Sequence, residues 1–355
     1  MSELQNDWRP LPLTLEAITP QWLSAALSVR HPGTRVKSVE VSNRRSGTST
    51  SSRMVLEYEG ETGLPRTLYI KGGFQEAMRR RVWAALAIEA QFYDRIAPTL
   101  PIRMPRSYFA GVDESTRQGI VIFEDLTLRG VGFGHATQPL GADAIAKVLD
   151  LQARMHAQWW ERPALAELAQ WAQPQRVFLK YLLRQKHWNE VLQRPYADRI
   201  PAPLRDADFV AHAHDRLWAL NDSRRQTLVH GDCHGGNLFF ERDGSPGLLD
   251  WQCTARGHWA HDVMWIIVSA MDIEVRRAHE RDLLEHYLGQ LSVCGAPAPR
   301  FDEAWLAYRQ NMMHGMSSSV ANPYDMQSET VTRLSAERVL AAIEDLDVLE
   351  SLGLA

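Results

Sequence analysis

At 355 residues the chain is long enough for two domains or lobes with cores of their own. Its 45% hydrophobic and 23% charged residues are those of a soluble globular protein, and no apolar run long enough to span a bilayer occurs. A formal net charge of −4 argues against a nucleic-acid partner, and the odd set Cys233, Cys253 and Cys294 sits at no metal-ligand spacing and makes no disulfide framework.

Taken in order, Met1–Pro20 has no basic start followed by an apolar core, so the expected location is the cytoplasm, without membrane contact. Thr19 before Pro20 is an N-cap with proline at the first helical position. Trp22, Leu23, Ala26 and Leu27 then share one face of an expected amphipathic helix within Leu15–Val29, ended by Pro32-Gly33. Alternation and β-branched content predict strands at Val36–Val41, Arg53–Tyr58 and Arg66–Ile70. Between the first two, Arg44–Ser52 is rich in small hydroxyl residues. Backbone N–H groups around Ser46, Gly47 and Thr48 can approach a phosphate there; the plain alternative is a polar hairpin.

Lys71 closes the third strand, and a helix is expected over Arg81–Ala97 with Glu89 on it. The basic run Arg79-Arg80-Arg81 reads as the solvated end of that helix. Pro98 and Pro101 break it, and strands at Arg106–Val112 and Gly119–Phe123 follow, the second running into Glu124-Asp125-Leu126. Past a linker at Arg129–Gly134 the pattern turns helical, with stretches at Gly141–Trp160, Val177–Leu192 and Ala207–Leu220. His156 on the apolar face of the first reads as a hydrogen-bonded core histidine rather than a ligand.

The stretch Leu228–Trp251, LVHGDCHGGNLFFERDGSPGLLDW, carries the chemistry. His230-Gly231-Asp232 is followed by Asn237 and, after a turn at Asp243-Gly244, by Asp250 at the end of an apolar run. Moving the terminal phosphoryl group of a nucleotide to a hydroxyl needs a carboxylate that accepts the hydroxyl proton and hard oxygen ligands that hold Mg²⁺. Asp232 fits the first role; Asn237 and Asp250 fit the second. Singly these residues are ordinary turn formers, and it is their joint spacing that points to a site.

The interval from Asp232 to Asn237 is that of the protein-kinase catalytic loop. With His-Gly-Asp and Asp250-Trp251 in their places, the chain resembles the small-molecule branch of that fold: aminoglycoside phosphotransferases, choline kinases and ecdysteroid-kinase-like proteins. Glu89-Ala90-Gln91-Phe92-Tyr93 is similar to the family's E-x-x-F-Y helix, Leu151–His156 to its L-x-x-L/M-H helix, and Thr19–Leu23 to a TP-x-WL opening. The resemblance implies a two-lobed α+β protein-kinase-like fold. An antiparallel-sheet lobe over residues 1–125 would bind nucleotide, and a mainly helical lobe over 126–355 would hold the catalytic loop and acceptor. It implies ATP or GTP as donor, Mg²⁺ as metal and a small-molecule alcohol as acceptor, in a monomer or homodimer. Lys71 would contact phosphates, Glu89 orient Lys71, the hairpin at Ser46, Gly47 and Thr48 cover the nucleotide, and backbone groups among Glu124, Asp125 and Leu126 bind the base. His230 and Asp262 would support the loop; Asp262 near a helix start is equally a simple capping residue.

The acceptor side is less legible. Trp305, Tyr308, Met312, Met313 and Met316 with His314 suit either an adaptable pocket for a hydrophobic alcohol or ordinary core, the second being favoured. Acidic residues from Glu337 to Glu350 read first as a solvated helix face. Three other functions are weighed. A non-catalytic kinase-like binding protein would have lost the base or a metal ligand, and neither is missing. A metal-dependent hydrolase using His230, Asp232, His234 and Asp250 leaves Lys71 and Glu89 unexplained. A protein-substrate kinase lacks room between Asp250 and Asp262 for a peptide-docking segment.

Overall fold

The computed structural model describes residues 8–47, 49–168 and 174–354. The chain divides into two compact units, one holding the residues up to Leu100, Met104–Val131 and Asp250–Gln252, the other Pro101–Arg103, Gly132–Leu249 and the chain from Cys253 on.

In the first unit, helix α1 (Pro20–Ser28) starts where the sequence predicts, with the Thr19 hydroxyl accepting from Trp22 N at 3.2 Å. Strands β1 (Val36–Ser46), β2 (Thr50–Tyr58) and β3 (Thr67–Gly72), helix α2 (Glu76–Gln91), then strands β4 (Ser107–Asp113) and β5 (Gln118–Glu124) follow. The strands form one antiparallel sheet in the order β1-β2-β3-β5-β4. Residues of β2 alternate between buried and less buried, as a strand with one covered face must. Met54, Leu56, Leu68, Ile70, Ile120 and Ile122 pack with Leu23, Ala26 and Leu27 of α1 in a core that removes their apolar surface from water. Helix α2 lies close against β5: a Cβ on Gly119 would sit 2.4 Å from the Leu86 carbonyl oxygen, so only glycine permits the approach.

Two expectations are corrected here. The serine-rich stretch is mostly strand, since β1 runs to Ser46 and β2 begins at Thr50, with Ser46 opposite Thr50 and Arg45 opposite Ser51. The connection shrinks to a turn around Gly47 and Ser49, because alternation with buried Thr50 and Ser52 continues the β2 pattern into the polar residues. Helix α2 begins at Glu76, ahead of the basic run, and Arg79 is buried rather than solvated, its Nη1 donating to the Gly73 carbonyl at 2.9 Å. Arg80 and Arg81 are exposed as expected. The helix ends in a π turn at Phe92–Ile96, where the Phe92 ring stacks on Trp251 with centroids 4.1 Å apart.

The second unit contains β6 (Gly132–Phe133), α3 (Ala142–Trp159), β7 (Thr227–Val229), β8 (Leu238–Phe240), β9 (Pro246–Leu248) and β10 (Ala255–Gly257) among further helices. β6, β8 and β9 form one small antiparallel sheet, and β7 pairs with β10 in another. The helix expected over Val177–Leu192 is two, Pro174–Leu182 and Gln185–Val191, broken where Arg184 turns extended. Neither glycine nor proline marks that break. Helix Ala207–Asp222 is capped by the Asp206 carboxylate, which accepts from Asp208 N and Phe209 N. Among the described residues no helix is long and apolar enough to cross a membrane.

Candidate active site

Strand β7 delivers the chain into His230-Gly231-Asp232, and the loop that follows is held mainly by side chains that bond to its backbone groups. Gly231 adopts φ +82°, and a Cβ there would lie 2.1 Å from the Cys253 carbonyl oxygen, so the turn demands glycine twice over. Asp262, fully buried in the first turn of helix Ala260–Ala270, accepts from His230 N at 2.6 Å and Gly231 N at 2.9 Å. Its side chain therefore braces the loop instead of capping its own helix. Burial alone would raise the Asp262 pKa, but the hydrogen bond and charge of His156, with His261 and His230, hold it below the usual carboxylate value. His156 is the core histidine expected, bonded to Tyr287 Oη at 2.8 Å and Asp262 Oδ2 at 3.3 Å. The next-door His261 donates from Nε2 to the Gly231 carbonyl at 2.9 Å.

The His230 ring is fixed on both sides. Nε2 lies 2.8 Å from the Leu249 carbonyl, which can only accept, so that nitrogen carries the proton and Nδ1 accepts from Asp232 N at 3.3 Å. His234 accepts from Gly236 N at 3.0 Å. Asn237 is buried, and its Nδ2 donates to the Asp232 carbonyl at 2.9 Å. The half-buried Asp232 carboxylate takes one bond at Oδ1 from the Trp265 indole N–H at 3.3 Å.

In the first unit Lys71, the penultimate residue of β3, places Nζ 2.8 Å from Glu89 Oε1 and 2.9 Å from Asp250 Oδ1. The expected lysine–glutamate pair is thus formed, and Asp250 joins it. Burial disfavours the Lys71 ammonium, yet Asp250 and Glu89 together outweigh it and the pKa is raised. Burial pushes Glu89 up to about 7, against the pull of Lys71 and with the push of Asp250. Asp250 holds φ +62°, a conformation non-glycine residues adopt at a cost of about 1–3 kcal/mol.

The remaining expected site residues are placed as follows. Ser46 ends β1, Gly47 is exposed with its N–H donating to the Ser49 carbonyl at 3.0 Å, and Thr48 lies outside the described residues. Glu124 ends β5; its N–H donates to the Arg106 carbonyl and its carboxylate pairs with Arg129 at 2.9 Å. Asp125 is buried, accepts from Arg53 Nε at 2.8 Å and caps the turn Leu126–Arg129 through Thr127 N. Leu126 is buried. Three residues escaped the sequence reading, Trp265, His261 and Arg53, and Arg79 was read as solvated. Their helix or strand surroundings carry no turn signal, and only the short distance of Trp265 and His261 from Asp262 could have drawn attention to them.

The arrangement counts against the metal-dependent hydrolase. Both ring nitrogens of His230 and one of His234 are committed to backbone groups. The methionines are core, since Met312, Met313 and Met316 are fully buried, and the C-terminal acids form the solvated face expected, with Asp345 paired to Arg276 and Arg277.

Residues 76–307 match the family model described as the Phosphotransferase enzyme family (APH). The chain belongs to that family. Among solved structures, the spectinomycin phosphotransferase APH(9)-Ia in complex with ADP and spectinomycin is similar to this phosphotransferase at 12% identity and a TM-score of 0.50, over 94% of this chain and 99% of that one. The choline kinase LicA from Streptococcus pneumoniae aligns at 14% identity and a TM-score of 0.44, covering 88% and 94%. No curated protein matches the chain. At such identity the likeness is one of fold, and the α+β protein-kinase-like fold, a five-stranded antiparallel-sheet lobe plus a mainly helical one, is the fold expected from the sequence.

Proposed function

We propose that this phosphotransferase moves the γ-phosphoryl group of ATP or GTP to a hydroxyl of a small molecule. The observation that supports this most is Lys71 Nζ held between Glu89 Oε1 at 2.8 Å and Asp250 Oδ1 at 2.9 Å. One ammonium beside two carboxylates leaves a negative charge to be met, and a buried group of that kind favours a further cation. Asn237 Oδ1 and the Asp250 carboxylate are hard oxygen donors, the kind that hold Mg²⁺ together with phosphate and water. When bound, Mg²⁺ neutralises charge on the phosphates.

In this reading Asp232 takes the proton of the acceptor hydroxyl while the hydroxyl oxygen forms the new bond to the γ-phosphorus. The bond from that phosphorus to the β,γ-bridging oxygen breaks, and the nucleoside diphosphate leaves with the electron pair. Trp265 fixes Asp232 Oδ1, and Oδ2, with His234 Nε2 3.9 Å away, is the oxygen that meets the acceptor. Lys71 steadies the phosphates and Glu89 orients Lys71. Ser46, Gly47 and Thr48 cover the phosphates, and with Glu124 N–H already spent on Arg106, base recognition falls to later backbone groups of Glu124–Leu126. His230 and Asp262 keep the catalytic loop in shape. Residues 1–125 serve the nucleotide and 126–355 the acceptor.

The test is a nucleotide-consumption assay with Mg²⁺ over a panel of aminoglycosides, choline-like amines, sterols, sugar alcohols and hydroxy acids, run in parallel on Asp232→Asn. Acceptor-dependent diphosphate release is expected from the parent and should fall by about 10²–10⁴-fold in the variant. Equal release from both proteins contradicts the assignment.

A further inference from the structure

A cavity of about 70 Å³ opens in the second unit against the catalytic loop. Gly231 forms part of its wall, with Trp218, His261, His314, Arg176 and Arg256. By the room one water needs, it admits about five water-sized groups, which suits one end of a short molecule rather than an aminoglycoside or a sterol.

The charge in this cavity is one-sided. Among the described residues no carboxylate lines it, while two guanidinium groups do. Arg176 is already matched, bidentate to Asp222 at 2.7 and 3.0 Å, with its guanidinium over the Trp218 ring at 5.1 Å. Arg256, the middle residue of β10, is half-buried, and its side chain makes neither ion pair nor hydrogen bond among the described residues, its charge being felt only at longer range by Glu161, whose pKa it helps to lower. A guanidinium partly out of water with its donors unused is a ready partner for a carboxylate, which it can meet through two parallel N–H bonds. The Trp218 indole, lining the same cavity, offers an apolar wall. His261, also in the wall, is the residue that donates to the Gly231 carbonyl, so an occupant touches the group that holds the catalytic loop.

We infer that this cavity seats the acceptor by an anionic end: a small alcohol carrying a carboxylate, with Arg256 pairing the carboxylate and Trp218 flanking the carbon chain. Cationic acceptors are disfavoured there by Arg256. The role as acceptor site rests on the phosphotransfer reading; the binding of the acid does not.

The deciding measurement is calorimetric titration, without nucleotide, of 6-hydroxyhexanoate and 4-(hydroxymethyl)benzoate against their primary amides, choline and kanamycin. The parent should bind at least one acid about tenfold or more tightly than its amide and than either cation. Arg256→Gln should lose about ten- to a hundredfold of the acid affinity, keep that for the amide, and keep the parent's affinity for Mg²⁺ with ADP. Should Arg256→Gln fail to fold, Arg256→Lys, which retains the charge but not the paired donors, should give an intermediate loss. Equal affinity for acid and amide, tighter binding of a cation, no binding of either acid, or an acid affinity indifferent to Arg256 overturns the inference. Failure of the parent to bind ADP with Mg²⁺ overturns the phosphotransfer reading instead, and the acid-to-amide comparison still decides the cavity.

Discussion

Lys71 and Asp232 show how much a single residue's meaning depends on what surrounds it. An isolated lysine at a strand end is ordinarily solvated; here two carboxylates within 2.9 Å make it part of a buried charge cluster. Glu89→Gln removes the charge that orients the ammonium while keeping the shape, and we expect kcat/KM for nucleotide to fall about tenfold or more in steady-state kinetics. An unchanged value assigns Glu89 to stability alone. For Asp232 the new partner is Trp265, whose N–H bond at 3.3 Å holds Oδ1, while His234 Nε2 lies 3.9 Å from Oδ2. Trp265→Phe keeps a smaller aromatic ring and deletes the donor, so kcat should drop several-fold with the nucleotide KM unmoved; a change confined to KM contradicts this role. The carboxylates, amide and lysine were legible because kinase-like chemistry fixes residue type and interval within short stretches. Trp265 was not, since the run Val263–Val268 around it is apolar and buried, and one more tryptophan in it reads as core.

Among elements, legibility followed local signals. Helix α1 was readable from its cap, and Thr19→Ala should cost about 1 kcal/mol in urea unfolding, with no loss expected if the Trp22 N–H bond contributes nothing. The hairpin between β1 and β2 was misjudged because hydroxyl-rich sequence looks like loop, whereas alternate burial of Thr50 and Ser52 carries the strand through it. Helix α2 was started late for a related reason: nothing in the sequence says that Arg79 turns inward to the Gly73 carbonyl. The catalytic loop is the element with least tolerance. Gly231→Ala sets a methyl 2.1 Å from the Cys253 carbonyl at φ +82°, and should cost about 2 kcal/mol or more and disable the loop even where the protein still folds. Parent-like stability and activity in that variant would contradict the geometry described.

For the whole molecule, the fold class could be read because motifs occur in kinase-like order along most of the chain, but the division of labour between its two units could not be fixed from spacing. The buried histidines of the second unit give it a pH signature. Burial holds His214 neutral with its pKa lowered to about 4 and His258 to about 3, against an ordinary 6.5. Below pH 6.5 the unfolded chain therefore takes up protons that the folded chain refuses. Each histidine should remove about 1.4 kcal/mol of stability per pH unit as pH falls through that window. Urea unfolding from pH 7 to pH 5 should show the decline in the parent and a shallower one in His258→Gln; parallel slopes would refute it. The account as a whole turns on whether the Lys71, Glu89 and Asp250 cluster receives a nucleotide. Titration of ADP with Mg²⁺ into the parent, Asp232→Asn and Lys71→Met tests this most directly. We expect the parent and Asp232→Asn to bind alike and Lys71→Met to bind about ten- to a hundredfold more weakly. Equal binding by all three, or none by the parent, would contradict it.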